Sequence, residues 1–277
     1  ANSRGRPIVN LLPLAENERI SFILPIQGFD AEHFVVMATN KGTIKKTPLE
    51  TFKNVRNKGI IATTLDEDEV LVGVGIAKIG DDVMLFSDAG KCVRFGLDEV
   101  RATGRTAHGV RGMRIKPGQS VIALVVVDDE TKDILAATEH GYGKRTPVSE
   151  YTRHGRGVQG IKAISTSERN GKVVAACLVS PEDDIMMLST GGKVIRTRAA
   201  EVSVYGRGAS GVHLIRLGED TLQSVRIVAR TGEETDEDID HLDIEIPEDA
   251  DVEEPDDLDE ELDVAADEAD DDANAER

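Results

Sequence analysis

The sequence predicts an all-β array of propeller-type blades, followed by a disordered acidic segment. Three observations lead to this prediction: one passage occurs four times, its copies recur at an almost constant spacing, and charge is divided sharply between two parts of the chain. A period of about fifty residues is typical of stacked supersecondary units. We therefore interpret both fold and function per repeat.

The repeated passage runs from an apolar strand through a glycine turn into a basic strand. The turn glycines lie 48, 51 and 51 residues apart and are Gly42, Gly90, Gly141 and Gly192. Small or polar residues precede each of them, which is typical of a short β-hairpin loop. The entering strand is apolar at successive positions instead of alternating, as at residues 83–86. This pattern indicates a strand buried on both faces, as it is when sheets stack.

Two further β-rich runs complete each repeat. One lies at residues 70–76, 121–127, 173–179 and, more weakly, 20–26 and 225–228. The other follows a second glycine (Gly59, Gly109, Gly160 or Gly211) and lies at residues 60–65, 110–115, 161–164 and 212–217. Four strands in about fifty residues are typical of a propeller blade.

The predicted organisation has two parts. The body, residues 1–230, comprises a partial blade at 1–19, blades at about 20–69, 70–119, 120–170 and 171–220, and a closing strand at 221–230. It holds 32 basic and 27 acidic residues, whereas residues 231–277 hold one basic and 25 acidic residues. This acidic tail contains no aromatic residue and cannot bury enough apolar surface to fold, so we expect it to be disordered.

Basic residues recur in two places and form the candidate functional surface. A hairpin group follows the turn glycines or closely precedes them: Lys41, Lys45, Lys46, Arg94, Lys144, Arg145, Arg196 and Arg198. A loop group surrounds the second glycine: Lys53, Arg56, Lys58, Arg101, Arg105, Arg111, Arg153, Arg156 and Arg207. Repeated along one edge of the array, the loop group would form a basic stripe suited to the phosphates of a nucleic acid.

The hairpin group has a second interpretation, which is charge pairing within a blade. Glu99, Glu150 and Glu201 each follow a hairpin arginine by five residues and could neutralise it. The loop group has few acidic neighbours in the first three copies, and no aromatic residue interleaves with it. Phosphate contacts to duplex DNA are therefore favoured over stacking on unpaired bases.

Motifs for catalysis, cofactors and metals are weak. The glycines of 206–211 match a dinucleotide-binding spacing without the helix that it needs, and Lys144 lacks the context of a phosphate-binding loop. Cys92 and Cys177 lie in apolar runs and have no metal-ligand spacing, and the apolar run 121–127 is too short to span a bilayer. We expect no catalytic residue, no cofactor, no metal site and no membrane partner for this chain.

Residues 5–14, together with the turns at 40–47 and 140–146, closely resemble the C-terminal domain of bacterial DNA gyrase A. Residues 110–112 and 185–187 share the resemblance, which covers essentially all of 1–230. It implies a six-bladed β-pinwheel, a propeller-like domain that wraps duplex DNA around a basic outer rim. In the parent ATP-dependent type IIA topoisomerase, wrapping supports negative supercoiling, while ATP and Mg²⁺ are bound elsewhere.

The resemblance also implies partners and a cellular location, but one sequence motif of the family is missing. The partners would be duplex DNA, the rest of gyrase A, and gyrase B, in the bacterial cytoplasm at the nucleoid. The family's signature box, Gln-Arg-Arg-Gly-Gly-Lys-Gly, is not found in this sequence. Residues 4–12 look like the back half of a repeat, so we expect a fragment of a longer cytoplasmic protein that lacks the first blade.

Two alternatives remain open at this stage. The chain could be the equivalent domain of the corresponding topoisomerase IV protein, which would select DNA geometry without full wrapping. It could instead be a propeller-like interaction scaffold that never touches nucleic acid, in which case the basic residues would be paired off within the blades. For the acidic tail, we expect either competition with DNA for the basic body or a solubilising role.

Overall fold

The structure, a computed structural model, describes residue 14, residues 18–55 and residues 59–228. The predicted acidic tail and nearly all of the predicted partial blade lie outside these residues. The described residues form antiparallel β-sheets in a propeller-like arrangement and contain no α-helix. The all-β, propeller-like fold class predicted from the repeats is confirmed.

The strands follow the repeats of the sequence. In chain order they are β1 (His33–Thr39), β2 (Thr43–Pro48), β3 (Leu71–Lys78), β4 (Asp82–Ser87), β5 (Lys91–Gly96), β6 (Val110–Arg111), β7 (Val121–Val127), β8 (Asp133–Thr138), β9 (Tyr142–Pro147), β10 (Ile161–Lys162), β11 (Val173–Val179), β12 (Asp184–Ser189), β13 (Val194–Arg198), β14 (Val212–His213) and β15 (Leu222–Val228). A short 3₁₀ turn follows each hairpin, at Leu49–Phe52, Leu97–Glu99, Val148–Glu150 and Ala199–Glu201.

Each turn glycine closes an antiparallel hairpin, and the four hairpins are β1–β2, β4–β5, β8–β9 and β12–β13. The apolar runs of the first three hairpins are buried as predicted, and every residue of β4 is buried, whereas Met186 in β12 is exposed. The turn glycines have a positive φ, for example +84° at Gly42. This left-handed conformation is costly for any residue with a Cβ, which explains the glycine in every copy.

The hairpins form the centres of three sheets and one side of a fourth. In order across each sheet the strands are β3-β1-β2-β6 in sheet 1, β10-β5-β4-β7 in sheet 2, β11-β8-β9-β14 in sheet 3 and β13-β12-β15 in sheet 4. Strands β3, β7, β11 and β15 contact one another between neighbouring sheets and therefore lie on the inside of the array. The two-residue strands β6, β10 and β14 lie at the opposite edge of their sheets, which we call the outer edge.

The sheets and the sequence repeats divide the chain differently. Sheet 1 takes its hairpin from the predicted unit 20–69, but its inner and outer strands come from the unit 70–119. Each hairpin is thus completed by strands that follow it in the sequence. The same pattern explains two predicted strands, 20–26 and 60–65, that the structure shows as irregular chain. Both would pair with a preceding hairpin, and none of the described residues before His33 forms one.

The core is distributed between successive sheets. Val36 and Ile44 of sheet 1 pack with Leu85 and Phe95 of sheet 2 in one buried cluster. Similar clusters join sheets 2 and 3 and sheets 3 and 4. Because each sheet buries its apolar faces against its neighbours, the hairpins can be apolar on both sides.

Candidate nucleic-acid interface

The outer edge is held in the same way in three sheets. In sheet 3, the backbone N–H groups of Leu214 and Ile215, just after β14, donate to the carbonyl oxygen of Gly141 at 2.8 and 3.3 Å. The residues after β6 bond in this way to Gly42, and the residues after β10 bond to Gly90. The short outer strands therefore occupy equivalent places, one in each sheet.

Each outer strand exposes its second residue, and these residues are Arg111, Lys162 and His213. The first residue of each strand is apolar and half-buried, so the alternation of a β-strand turns the second side chain outward. Sequence analysis identified only Arg111. The 51-residue spacing of the three positions is a signal in the sequence that could have identified Lys162 and His213 as well.

Two arginines of the loop group brace outer strands, and a third braces the irregular chain at Ile61. Arg156 Nη1 donates to the carbonyl oxygen of Arg111 at 3.2 Å, and Arg207 Nη1 donates to that of Lys162 at 3.2 Å. Arg105 Nη1 makes the corresponding bond to the carbonyl oxygen of Ile61 at 3.3 Å. The three guanidinium groups are half-buried, so each both fixes the fold and adds positive charge beside the outer edge.

Glu99 and Glu150 stabilise the same loops. The carboxylate of Glu99 accepts a hydrogen bond from the backbone N–H of Arg156 at 3.1 Å, and Glu150 accepts one from that of Arg207 at 3.2 Å. The hairpin arginines predicted to pair with these glutamates have different acidic partners. Arg94 pairs with Asp82 and Glu130, and Arg145 pairs with Asp133.

Five residues of the hairpin group are buried: Lys45, Lys46, Arg94, Lys144 and Arg145. The Nζ of Lys144 donates to Thr146 Oγ1 and to the carbonyl oxygen of Arg207, both at 3.0 Å, and also to the carbonyl oxygen of Gly206. Burial lowers the pKa of Lys144 to about 8, although Glu150 acts in the opposite direction. Burial also lowers the pKa values of Lys45 and Lys46, against the effect of Asp98 on Lys46.

Arg94 and Arg145 are satisfied within the protein. Arg94 Nε donates to Asp82 at 2.7 Å, and its Nη1 donates to two carbonyl oxygens of the following unit, those of Val148 and Tyr151, each at 3.1 Å. Arg145 Nε donates to the carbonyl oxygen of Val202 at 2.8 Å. The five buried side chains join one hairpin to the next unit and have their hydrogen-bond partners within the protein. For these residues DNA contact stays a prediction, and it would require them to leave these internal partners.

The remaining predicted site residues are accessible or lie outside the described part of the chain. The exposed ones are Lys41, Lys53, Arg101, Arg111 and Arg153, and the half-buried ones are Arg105, Arg156, Arg196, Arg198 and Arg207. Arg56 and Lys58 lie outside the described residues. Some of the accessible cations have internal partners: Arg153 pairs with buried Asp82, and Arg196 pairs with Asp184. For the accessible residues, DNA contact stays a prediction.

Tyr142, His213 and Arg169 form an aromatic cluster at the outer edge of sheet 3, and the sequence analysis did not predict it. The rings of Tyr142 on β9 and His213 on β14 lie 3.9 Å apart between centroids, with 35° between their planes. The guanidinium carbon of Arg169 lies 4.9 Å from the centre of the Tyr142 ring. Tyr142 and His213 are distant in the sequence and meet because β14 pairs with β9, which places the two residues opposite each other.

Burial lowers the pKa of His213, and the positive charges of Arg216 and Arg169 lower it further. No three His, Cys, Asp or Glu side chains in the described ranges are grouped so that they could hold a metal ion. The described part of the chain also contains no helix that could cross a membrane.

Comparison with protein families gives a match to the model of the DNA gyrase C-terminal domain, β-propeller. It matches residues 33–78, 81–128, 132–180 and 183–229, which correspond to the four hairpins and the inner strands that follow them. The match covers more than half of the chain.

Similar curated proteins are gyrase A proteins, the A components of DNA gyrase. That of Klebsiella oxytoca is 48% identical over 242 residues, which are 87% of this chain and 27% of the relative. That of Escherichia coli K12 is 46% identical over the same shares. That of Neisseria gonorrhoeae is 40% identical over 82% of this chain and 30% of the relative. The chain thus spans little more than a quarter of these relatives.

Solved structures give a consistent result. A DNA gyrase A C-terminal domain superimposes with a TM-score of 0.73 and 28% identity, over 81% of this chain and 75% of that structure. A C-terminal domain of DNA topoisomerase IV superimposes with a TM-score of 0.75 at 23% identity, over 81% of this chain and 71% of that structure. At 23% identity, the similarity to the topoisomerase IV domain shows a shared fold and nothing more.

Proposed function

The chain belongs to the family of DNA gyrase C-terminal domains of the β-propeller type, and on this premise we propose that it binds duplex DNA along its outer edges and bends it around them. The observation that carries the proposal is the repeated cation on the outermost strand, Arg111 in sheet 1 and Lys162 in sheet 2, with His213 in sheet 3. One such position in each of the first three sheets would meet successive segments of a DNA backbone that follows the array.

The electrostatics of the edge support phosphate contacts. Beside Arg111 and Lys162 lie the guanidinium groups of Arg156 and Arg207, so two basic residues and one glutamate, Glu99 or Glu150, lie together at each of these sheets. Bending a duplex of 20–30 base pairs costs about 1–6 kcal/mol, which repeated phosphate contacts would have to offset. Contacts of this kind predict strong salt dependence and little sequence preference.

We propose that the chain serves a larger enzyme and is itself non-catalytic. The relatives are components of DNA gyrase, and this chain covers about a quarter of their length. The whole protein would then be an ATP-dependent type IIA topoisomerase in the bacterial cytoplasm. The rest of gyrase A and the gyrase B protein would be its partners, and ATP and Mg²⁺ would be bound outside this domain. Bending by the outer edge would support negative supercoiling.

We also propose that the acidic tail, residues 231–277, modulates DNA binding. Its 25 acidic residues are tethered to a body with an excess of basic residues, so their effective concentration near the outer edge would be high. The tail would compete with phosphates for the same cations, and would do so most strongly at low salt.

A salt titration of duplex binding by the full chain tests the main proposal, with one short and one long linear duplex. Each neutralised phosphate contributes a slope of about −0.9 in log K against log salt, so contacts in three sheets predict a slope of about −3 or steeper. The long duplex should bind more tightly because it can follow several sheets. Absence of binding at low salt would support the interaction scaffold instead.

Deletion of residues 231–277 tests the role of the tail. If the tail competes with DNA, the shortened chain should bind the long duplex more tightly, and the difference should shrink as salt is raised. Equal affinity and equal salt slope for the two proteins would mean that the tail does not compete.

A further inference from the structure

We propose that His213 is a DNA contact that takes up a proton when duplex DNA binds, so that sheet 3 makes binding sensitive to pH. The inference rests on the proposed function and adds a form of regulation to it. It is carried by the equivalence of His213 with two permanent cations and by the groups that surround its ring.

The first observation is positional. His213 is the second residue of β14, as Arg111 is of β6 and Lys162 is of β10, and all three are exposed. The backbone bonds that follow each strand are the same. A duplex that contacts Arg111 and Lys162 and continues along the array therefore meets His213 at the third sheet. Two of these positions carry a fixed charge, and the third carries one that depends on pH.

The second observation is the surroundings of the imidazole ring. It stacks on Tyr142 of β9, and two cations act on it: Arg169 from the 165–171 loop and Arg216 from the segment after β14. The turn before β9 adds His140, whose Nδ1 contacts the Arg169 carbonyl oxygen, and whose Nε2 lies 3.8 Å from Glu139. The nearest charges that act on His213 are thus positive, which favours the neutral ring in the free protein.

A phosphate at this edge would reverse that balance. An anion close to the ring favours the imidazolium form, so the pKa of His213 would rise on binding. Because the bound state then holds one more proton than the free state, affinity increases as the pH falls through the range between the two pKa values. The same phosphate would also contact Arg169 and Arg216, which strengthens its attraction to this site.

The test measures the dissociation constant of the full chain for the long duplex between about pH 5 and about pH 8, at fixed ionic strength, since the lowered pKa of free His213 moves the window toward acid. Affinity should improve toward the acidic end, by about tenfold for each unit by which the pKa of His213 rises on binding. His213→Gln should lose this dependence, and His213→Lys should bind tightly across the range. His33→Gln is the matched control, because His33 lies at the end of its hairpin remote from the turn.

Titration of the His213 ring by NMR, with and without duplex, gives a readout that is independent of affinity. A higher pKa in the complex supports the proposal. The same pKa in both states, or an undiminished pH dependence in His213→Gln, would overturn it. If the full chain failed to bind duplex at every pH, the proposed function would fail as well, so the two failures can be distinguished.

Discussion

The third and fourth hairpins have similar sequences and the same local structure but very different surroundings. In sheet 3, β14 pairs with β9, and the following unit covers Lys144 completely. In sheet 4, β13 is an edge strand, and Val194 is 55% exposed. The two hairpins therefore separate what a repeat specifies by itself from what its neighbour adds.

The comparison shows that the next unit, and not the hairpin, determines which basic residues are accessible. Arg145 and Arg196 are equivalent residues, and each pairs with an aspartate twelve positions before it, Asp133 and Asp184. The side chain of Arg145 is 9% exposed, since the segment after β13 closes over it, whereas that of Arg196 is 28% exposed. The same basic pattern thus gives a buried link in one sheet and a more accessible cation in another.

The largest expected effect of the different surroundings is on stability, and it is tested by comparing Gly141→Ala with Gly192→Ala. Both glycines have a positive φ, at +83° and +82°, so alanine at either position costs about 1–2 kcal/mol in conformational strain. At Gly141 an added Cβ would also collide with the carbonyl oxygen of Ile215, whereas Gly192 has open space. Overpacking adds about 1–3 kcal/mol, so Gly141→Ala should lose about 2–5 kcal/mol in total.

Urea unfolding followed by circular dichroism measures both variants. The expected result is a lower midpoint for Gly141→Ala than for Gly192→Ala. Equal losses would show that the fourth hairpin is covered as closely as the third, which would remove the basis of the comparison.

The second test concerns Lys144, whose equivalent in sheet 4 is Ile195. The folded-state pKa of about 8 lies below the ordinary value of 10.5, so the unfolded state binds more protons between these values. Stability contributed by this group must therefore rise with pH across that window. Relative to Lys144→Met, the natural chain should gain about 2 kcal/mol between about pH 7 and about pH 10.

Urea unfolding of both proteins at several pH values checks the sign and the size of this gain. Lys193→Met is the matched control, because Lys193 is an exposed lysine at the turn of the fourth hairpin. That control should show the same pH dependence as the natural chain. A parallel pH dependence for Lys144→Met would mean that the Lys144 amine is solvated in solution.

The sequence predicts the features of a hairpin that depend on its own residues, but not those that depend on the next unit. The hairpins and their glycine turns depend on short-range patterns, and the structure has them where the repeats indicate. The burial of Lys144 depends on the loop at Gly206 and Arg207, more than sixty residues away, and no local pattern reports it. The predicted strands at 20–26 and 60–65 are irregular chain for the same reason, since a strand needs a partner that its own residues do not specify.

The smallest expected effect is a difference in duplex affinity between variants of an outer and an inner cation. Lys162 on β10 lies on the outer edge of sheet 2, whereas Arg226 on β15 lies on the inner strand of sheet 4, and both are exposed. If phosphates follow the outer edge, Lys162→Gln should weaken duplex binding by about 0.2–1 kcal/mol, the range for an exposed ion pair, and should reduce the salt slope by about one. Arg226→Gln should change neither value.

Fluorescence anisotropy with the long duplex at several salt concentrations measures both quantities. The slope is the more informative of the two, because a general loss of fold would lower affinity without removing one phosphate contact from the count. An effect of Arg226→Gln equal to that of Lys162→Gln would indicate attraction by net charge alone. The outer edge would then have no special role, and exposure by itself, without position in the sheet, would decide which cations of this array meet DNA.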